Sequence, residues 1–375
     1  MKIGFDAKRA VRNNTGLGNY SRHVIEVLSE YFPDNDYLLF APQKKENPRL
    51  QTLCSRANVA FVFPSGFYRL FVWLWRVWGI GKDINSDVDI FHGLSNEIPL
   101  GMKKKGIKTV VSVHDLIFLR YPQFYKPVDR TIYRLKCRYA CRHADRIIAV
   151  SECTKRDIVS FFHIPANKIE VVYQSCHPSF GVEADEERRA TVAAKYGLPR
   201  RYLLNVGSIE RRKNLLLVVK ALKHLPDDIH LVAVGKSTPY QTEVETYAKL
   251  SGVSSRLHIL NHAPFDDLPA LYRLASVFVY PSFFEGFGIP VIEALTCGTP
   301  VVAARGSCLE EAGGPDSLYV DPEDETELAQ KIIEITGNKD LAIRMREKGR
   351  EYVRRFSNEH IATALMNAYG GAGMN

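Results

Sequence analysis

Short apolar runs alternate with helical stretches along most of the chain, and this alternation restricts its fold more than any other feature. The runs are rich in β-branched residues and too short for helices, which is typical of buried parallel strands. Strands that alternate with helices predict an α/β domain with helices on both faces of the sheet. The first predicted strands cover residues 2–6, 37–41, 59–63, 88–92, 109–114, 146–151 and 168–173.

The chain changes character between residues 177 and 201, where prolines and glycines flank a charged helical stretch at 186–195. A second series follows, with strands predicted at 202–206, 229–234, 257–260, 277–280 and 300–303, and helices at 268–275, 290–296 and, in two or three pieces, 325–369. A chain of 375 residues also exceeds the usual size of one core. We therefore predict two Rossmann-like, doubly wound domains facing each other across a cleft, at 1–180 and 181–355. A C-terminal helix within 356–375 is expected to pack back on the first domain.

A basic motif follows the first strand of the second series and runs from Gly207 to Asn214, with the sequence GSIERRKN. It precedes a helix predicted over 215–222, and a helix N-terminus attracts anions. Arg212 and Lys213 add a bidentate donor and a point charge, which suits a diphosphate. The alternative is a solvated basic turn.

An acidic motif, EGFGIPVIE, follows the strand predicted at 277–280. Glu285 and Glu293 are its two acids, and Pro290 marks the first turn of a helix. Gly286 and Gly288 permit a ligand to approach the backbone closely. Carboxylates suit sugar hydroxyls because they accept several hydrogen bonds. Together, these features predict a sugar-binding site.

Two weaker motifs lie in the first domain. His114 and Asp115 stand at the end of a predicted strand, where the histidine is either a polar contact at the sheet edge or a satisfied core residue. The loop Gly16-Leu17-Gly18 resembles a shortened phosphate-binding turn but lacks the GxGxxG pattern.

Four segments, TGLGNYSR, SVHDLIFLRYP, SIERRKNL and PSFFEGFGIPVIEALTCGTPVV, together resemble glycosyltransferase family 4, which has the GT-B fold. The resemblance covers nearly the whole chain, keeps the motif order, and extends to bacterial mannosyltransferases of surface polysaccharide assembly. It implies that residues 1–180 bind the acceptor and residues 181–355 bind the nucleotide-sugar donor.

The resemblance also implies roles for single residues. Arg212 and Lys213 would bind the donor diphosphate, Glu285 the hydroxyls of the transferred sugar, and Glu293 the ribose. His114 would lie beside the sugar and Glu310 near the donor. Many relatives have Gly-Arg where this chain has Gly207-Ser208. The resemblance therefore implies that Arg212 and Lys213 bind the diphosphate without that additional arginine. The remaining donor-site residues implied are Gly16, Gly18, Gly207, Gly286, Phe287 and Gly288.

The resemblance implies retaining transfer of a hexose from a nucleotide diphosphate sugar to a glycan or lipid-linked acceptor, in cell-surface polysaccharide synthesis. GDP-mannose is the first donor to expect, and neither a metal nor another cofactor is expected. One alternative is a different GT-B enzyme, such as a sugar-nucleotide epimerase or a phosphorylase, although a phosphorylase needs a pyridoxal phosphate lysine and a longer chain. The other is a non-catalytic sugar-binding scaffold.

The net charge of +8 favours acidic partners. Basic residues concentrate in the first domain, at Lys103–Lys105 and in residues 130–146, which suits an anionic membrane surface or a lipid diphosphate carrier. The stretch 67–78 holds all three tryptophans and is apolar nearly all round when arranged as a helix. It is either a membrane-interface element or a buried helix, and all-round apolarity favours burial. No nucleic-acid motif is present, so no nucleic-acid partner is expected.

The cellular location follows from three further features. The N-terminus lacks an apolar stretch of signal-peptide length, and no run of about 18 apolar residues occurs. The seven cysteines are scattered without CxxC pairs, which argues for a reducing compartment and against a zinc site. We expect a cytoplasmic protein, peripheral to the inner face of the membrane.

Overall fold

A computed structural model describes residues 1–13, 16–43, 48–84, 88–102, 106–183 and 185–370. Contacts divide the chain into two compact units. The first consists of Met1–Gln174 together with Phe356–Asn375, and the second of Ser175–Arg355. Lys103–Lys105, one of the predicted basic clusters, lies outside the described residues.

The first unit contains a parallel sheet of seven strands in its described part, in the order β3-β2-β1-β4-β5-β6-β7. The order reverses beside β1, so the sheet is doubly wound as predicted. Its strands are β1 (Lys2–Asp6), β2 (Asp36–Phe40), β3 (Val59–Val62), β4 (Ile90–Gly93), β5 (Lys108–Val113), β6 (Arg146–Ala149) and β7 (Ile169–Val171).

Helices connect these strands and cover the sheet. Among the described residues, the core includes an apolar cluster around Trp75 and Phe91 and another around Val111 and Phe118. The helices are α1 (Lys8–Arg12), α2 (Gly16–Tyr31), α3 (Gln51–Cys54), α4 (Val72–Leu74), α5 (Ile80–Asp83), α6 (Ile117–Arg120), α7 (Pro127–His143) and α8 (Glu152–Phe162).

The second unit repeats the plan with six parallel strands among its described residues, in the order β10-β9-β8-β11-β12-β13. The edge strand β13 was not predicted, because three residues in a glycine-rich stretch carry no strand period. The strands are β8 (Tyr202–Val206), β9 (His230–Val234), β10 (Leu257–Leu260), β11 (Val277–Tyr280), β12 (Val301–Ala304) and β13 (Leu318–Val320).

One apolar cluster, from Leu203 to Met345, joins this sheet to its helices. The helices are α9 (Glu186–Tyr196), α10 (Leu215–Ala221), α11 (Tyr240–Leu250), α12 (Leu268–Leu274), α13 (Ile289–Thr296), α14 (Leu309–Gly313), α15 (Glu325–Gly337) and α16 (Lys339–Tyr352).

The chain then returns to the first unit, where α17 (Asn358–Ala368) packs against α2. Tyr369 follows this helix and is buried, and its hydroxyl lies 2.6 Å from Nδ1 of His92 in β4. The Lys108 ammonium donates to the Tyr369 carbonyl at 2.7 Å. These polar contacts attach the C-terminal helix to the first sheet.

The tryptophan stretch is neither one continuous helix nor wholly buried, so it fully matches neither of the two alternatives that the sequence left open. A 3₁₀ turn at Gly66–Arg69 precedes α4, a π-helical turn at Trp75–Gly79 follows it, and α5 comes next. Trp75 is fully buried, but the side chains of Trp73 and Trp78 are about half exposed or more. In this broken helix, Trp73 and Trp78 lie outside the core while Trp75 lies inside it. Among the described residues, no helix is long and apolar enough to cross a membrane.

Candidate active site

The loop after β8 is shaped by two close backbone approaches. Gly207 has a φ of 151°, which favours glycine, and its N–H donates to the Val234 carbonyl at 2.9 Å. A Cβ on Gly235 would lie 1.8 Å from the Gly207 carbonyl oxygen, so only glycine fits there. The loop is therefore held against the end of β9 before the basic residues begin.

Arg212 and Lys213 lie in a 3₁₀ turn, Arg211–Lys213, that ends at Asn214 in the left-handed conformation. The Asn214 amide donates to the carbonyls of Pro281 at 3.1 Å and Pro322 at 2.7 Å, which hold the turn in place. The helix α10 begins only after this turn. The two cationic side chains therefore lie before the helix N-terminus, in a turn of their own.

Glu285 joins the two predicted motifs in one ion cluster. Its Oε1 lies 2.6 Å from Nζ of Lys213, and its Oε2 lies 2.7 Å from Nη1 of Arg212. Arg212 also donates to the Phe284 carbonyl at 2.7 Å and pairs with Glu210 at 2.8 Å. The three predicted residues are therefore in direct contact, and all three side chains are largely buried.

Each charged group of this cluster shifts the pKa of its oppositely charged neighbours towards the ionised form. Burial alone would raise the pKa of Glu285, but the charges of Lys213 and Arg212 outweigh it and lower the pKa to about 2. Burial opposes the charged forms of Lys213 and Arg212, yet Glu285 raises the pKa of both. All three groups are ionised at neutral pH, so Glu285 is a hydrogen-bond acceptor and a poor proton acceptor.

Tyr280 belongs to the same cluster and was missed by sequence reasoning. It is the last residue of β11, its hydroxyl donates to Oε1 of Glu285 at 3.1 Å, and it accepts a hydrogen bond from Lys213. Burial raises the pKa of Tyr280 to about 12, so it stays protonated. Tyr280 ends a strand that neighbours the strand before the basic motif, and this position could have identified it as a site residue.

The glycines of the acidic motif shape the entry to α13. Gly288 has a φ of 116° and a Cβ there would lie 2.8 Å from Leu309 Cδ2, so the turn requires glycine. Phe287 is buried beside it, and Pro290 lies in the first turn of the helix as predicted. Gly286 extends the loop between Glu285 and this turn.

Glu293 occupies a different environment from Glu285. It lies in the middle of α13, and its Oε2 accepts a hydrogen bond from the Tyr272 hydroxyl at 2.8 Å. Burial raises the pKa of Glu293 to about 7, although the Tyr272 hydrogen bond lowers it. Tyr272 in α12 is a second residue that sequence reasoning missed, since nothing in its local sequence distinguishes it from a core tyrosine.

Glu310 lies in α14, where its Oε2 accepts a hydrogen bond from the Gly306 N–H at 3.0 Å. Its side chain is exposed and closes the loop that precedes the helix. The neighbouring Cys308 thiol donates to the Glu285 carbonyl at 3.0 Å, which connects this loop to the ion cluster.

His114, predicted in the first unit, directly follows β5 and is buried. Its Nε2–H donates to the Leu94 carbonyl at 2.9 Å, and its ring meets Tyr20 edge-on at 4.4 Å. Burial lowers the pKa of His114 to about 4, so the ring is neutral with Nδ1 unprotonated. The residue combines both of the alternatives considered, since it is satisfied and stands at the strand end.

The segment Gly16-Leu17-Gly18 was predicted as a loop that resembles a phosphate-binding turn, but it belongs to a helix. The helix α2 begins at Gly16 rather than after the loop, so Gly16 and Gly18 form its first turn. A Cβ on Gly18 would lie 1.8 Å from the Asn13 carbonyl oxygen. Gly18 is therefore needed for the close approach of α2 to the end of α1. The preceding Asn14 and Thr15 lie outside the described residues.

Two doubly wound parallel sheets, with an Arg-Lys-Glu cluster at the carboxyl edge of the second, agree with the two-domain glycosyltransferase architecture that the motifs predicted. The family model described as Glycosyl transferases group 1 matches residues 189–352, and the model described as Glycosyltransferase Family 4 matches residues 16–179. The chain belongs to the glycosyltransferase family that these two models describe, and the predicted GT-B fold is confirmed.

Individual proteins agree with this assignment. The chain is 29% identical to the O-antigen chain mannosyltransferase B of Escherichia coli, over 98% of this chain and 99% of that relative. It is 30% identical to the Escherichia coli serotype-specific mannosyltransferase WbdA over 65% of this chain, but the match spans only 31% of that longer relative. The crystal structure of Anabaena HepE in complex with UDP and glucose superposes with a TM-score of 0.77 at 16% identity, covering 99% of this chain and 100% of that one.

Proposed function

We propose that the protein transfers mannose from GDP-mannose, with retention of configuration, to a glycan or lipid-linked acceptor in the synthesis of a cell-surface polysaccharide. The observation that carries the proposal is the ion cluster of Arg212, Lys213 and Glu285, in which two cations and one carboxylate meet at the ends of β8 and β11. The likeness to an O-antigen mannosyltransferase across nearly the full length supports the choice of sugar and product.

The cluster has the chemistry that a departing diphosphate needs. Two fixed cations in a largely buried site stabilise negative charge as it develops on the leaving phosphate oxygen. Glu285 is held ionised and can accept hydrogen bonds from hydroxyls of the sugar. Its lowered pKa makes it unsuited to remove a proton from the acceptor.

The proposed transfer needs no basic side chain at the acceptor. The bond between the anomeric carbon and the phosphate oxygen breaks, and a bond from the acceptor oxygen forms on the same face. The acceptor proton moves to the departing phosphate oxygen. The role of the side chains is to hold both substrates and to stabilise the diphosphate.

The test is a transfer assay with the purified full chain and a synthetic mannosyl acceptor, using GDP-mannose, UDP-glucose and UDP-galactose at equal concentration. We expect the highest kcat/KM with GDP-mannose and an α-linked product by proton NMR, since the donor is the α anomer. Equal or faster transfer from a UDP sugar would reject the donor. A β-linked product would reject retention.

A further inference from the structure

The helix α7 in the first unit has an outward face that the core does not use. Its buried residues are Cys137, Ala140 and Cys141, all in the C-terminal half. Residues 131–136 are exposed on every side of the helix. The N-terminal half of α7 is thus largely exposed, although the ring of Tyr133 packs against Phe118 and Tyr125.

Three apolar side chains lie among the polar and charged residues on the exposed surface of α7. Val128 is 70% exposed, Leu135 is 63% exposed, and Ile132 lies between them on the same helical stripe. Nine residues separate Val128 from Cys137 and Ile132 from Cys141, which is about two and a half turns. The apolar stripe therefore lies opposite the buried face and points directly away from the core.

Basic residues border this stripe. The helix carries Arg130, Arg134, Lys136, Arg138 and Arg142 but only one acid, Asp129. In projection, Arg134, Arg138 and Arg142 lie along one side of the stripe. Lys136 lies along the other side, beside Asp129 and paired with Glu97. An apolar stripe beside a row of arginines is the pattern of a helix that lies in a membrane interface.

The exposed tryptophan stretch adjoins this helix. One oxygen of Glu97, Oε2, lies 3.3 Å from Nη2 of Arg76 in that stretch and 3.4 Å from Nζ of Lys136 in α7. Within the stretch, Leu70 is 81% exposed and Trp73 is 64% exposed, and Phe67, Phe71 and Trp78 are also exposed. The rings of Phe67 and Phe71 lie 4.7 Å apart, and exposed apolar side chains that contact one another are typical of interaction sites. Trp side chains favour the boundary between water and lipid.

We propose that the outward face of α7 and the adjoining residues 67–78 bind an anionic lipid bilayer, with Val128, Ile132 and Leu135 entering the interface. The charge on the face selects this occupant over a second copy of the chain. Two copies would bring their rows of arginines together, whereas anionic headgroups neutralise the arginines. Each basic residue near such a surface strengthens binding about fivefold.

The test is sedimentation of the full chain with vesicles of phosphatidylcholine alone, or mixed with phosphatidylglycerol, at low and high salt. We expect binding to the mixed vesicles at low salt, little binding to phosphatidylcholine alone, and weakening by salt. No donor or acceptor is needed, so the result does not depend on the proposed transfer reaction. Absence of binding to the mixed vesicles would overturn the proposal.

Paired variants locate the surface. Arg134→Glu with Arg142→Glu should lower the partition coefficient at least ~30-fold, and Ile132→Ser with Leu135→Ser about tenfold or more. The matched controls lie on exposed sites of the second unit, at Arg344→Glu with Arg346→Glu and at Leu250→Ser with Ile343→Ser, and should bind like wild type. Equal losses in test and control variants would overturn the assignment to α7.

A second readout uses the chain's own fluorophores, because all three tryptophans lie at 73, 75 and 78. A blue shift of their emission on the mixed vesicles, lost in Trp73→Phe with Trp78→Phe, supports entry of this stretch into lipid. An unchanged emission spectrum on vesicles that bind the protein would exclude residues 67–78 from the surface. Dimerisation without lipid that Leu135→Ser abolishes would assign the face to a second copy instead.

Discussion

Nζ of Lys213 lies 2.6 Å from Oε1 of Glu285, across 72 residues of sequence. The contact joins the turn after β8 to the loop after β11, and these two strands are neighbours in the sheet. Parallel strands bring their carboxyl ends to one edge, so two motifs that are remote in sequence form one charged site. The lysine is thus positioned and neutralised before any ligand enters.

Removal of either cation should disable transfer. We expect Arg212→Ala and Lys213→Ala each to lower kcat by about 100-fold or more, because each removes a fixed charge that opposes the leaving phosphate. The control is Arg211→Ala, since Arg211 is the adjacent residue but is exposed and pairs with Glu243. Steady-state kinetics should show Arg211→Ala near wild type. Near-normal turnover in both test variants would contradict the diphosphate assignment.

Neutralising Glu285 should change how stability depends on acid pH. The pKa of Glu285 is lowered to about 2 in the folded protein, whereas an unfolded glutamate titrates near ~4.3. The carboxylate therefore stabilises the fold above pH ~4.3, and this contribution is lost as the pH falls towards 2. Relative to Glu285→Gln, wild type should lose on the order of 3 kcal/mol over that window. Urea unfolding followed by circular dichroism at several pH values measures the difference.

The same substitution should also impair turnover, because an amide replaces the ionised acceptor facing the sugar. A Glu285→Gln protein with wild-type kcat/KM would contradict the sugar-binding role even if the stability prediction held. The two measurements therefore separate the structural contribution of Glu285 from its proposed contact with substrate.

Glu293 should show the opposite dependence on pH. Burial raises the pKa of Glu293 to about 7, so its contribution to stability is fully present below ~4.3 and is lost as the pH rises through 7. Relative to Glu293→Gln, wild type should lose stability between pH 4 and 8, on the order of 3 kcal/mol. A pH-independent difference between the two proteins would show that Glu293 titrates normally.

If Glu293 also binds the ribose, Glu293→Gln should weaken GDP binding by about 1 kcal/mol or more, the scale of one lost hydrogen bond. Calorimetric titration with GDP at pH 8, where Glu293 of the wild type is ionised, should give the largest difference in affinity between the two proteins. Unchanged GDP affinity at that pH would contradict the ribose contact and leave the stability prediction standing.

Much of this architecture could be predicted because buried parallel strands and their helices have distinct periods. Both strand series, and the placement of Arg212, Lys213 and Glu285 at strand ends, follow from alternation. The ion pairs of Glu285 with Arg212 and Lys213 were not predicted. Tyr272 and Tyr280 could not be singled out, since their contacts depend on packing between elements. Gly235 was also missed, because the need for glycine there arises from the Gly207 carbonyl on another strand. The exposure of Trp73 could not be predicted, because the apolar pattern does not reveal that the helix is broken there.

The hydroxyl of Tyr369 is the last feature that carries a prediction. It lies 2.6 Å from Nδ1 of His92, whose Nε2 lies 2.8 Å from the Ser112 hydroxyl, and all three groups are buried. Burial lowers the pKa of His92 to about 3, so the ring is neutral and needs one donor and one acceptor. Tyr369→Phe removes a partner while keeping the ring that packs on the sheet. The buried imidazole nitrogen is then unsatisfied, which should cost ~1–3 kcal/mol.

Tyr31→Phe, at an exposed tyrosine, is the control for Tyr369→Phe and should change stability by less than ~0.5 kcal/mol. Because every tryptophan lies in the first unit, urea unfolding followed by tryptophan emission reports on that unit alone. Equal unfolding midpoints for Tyr369→Phe and wild type would mean that the C-terminal helix is held by its apolar contacts with α2, without help from this hydrogen bond.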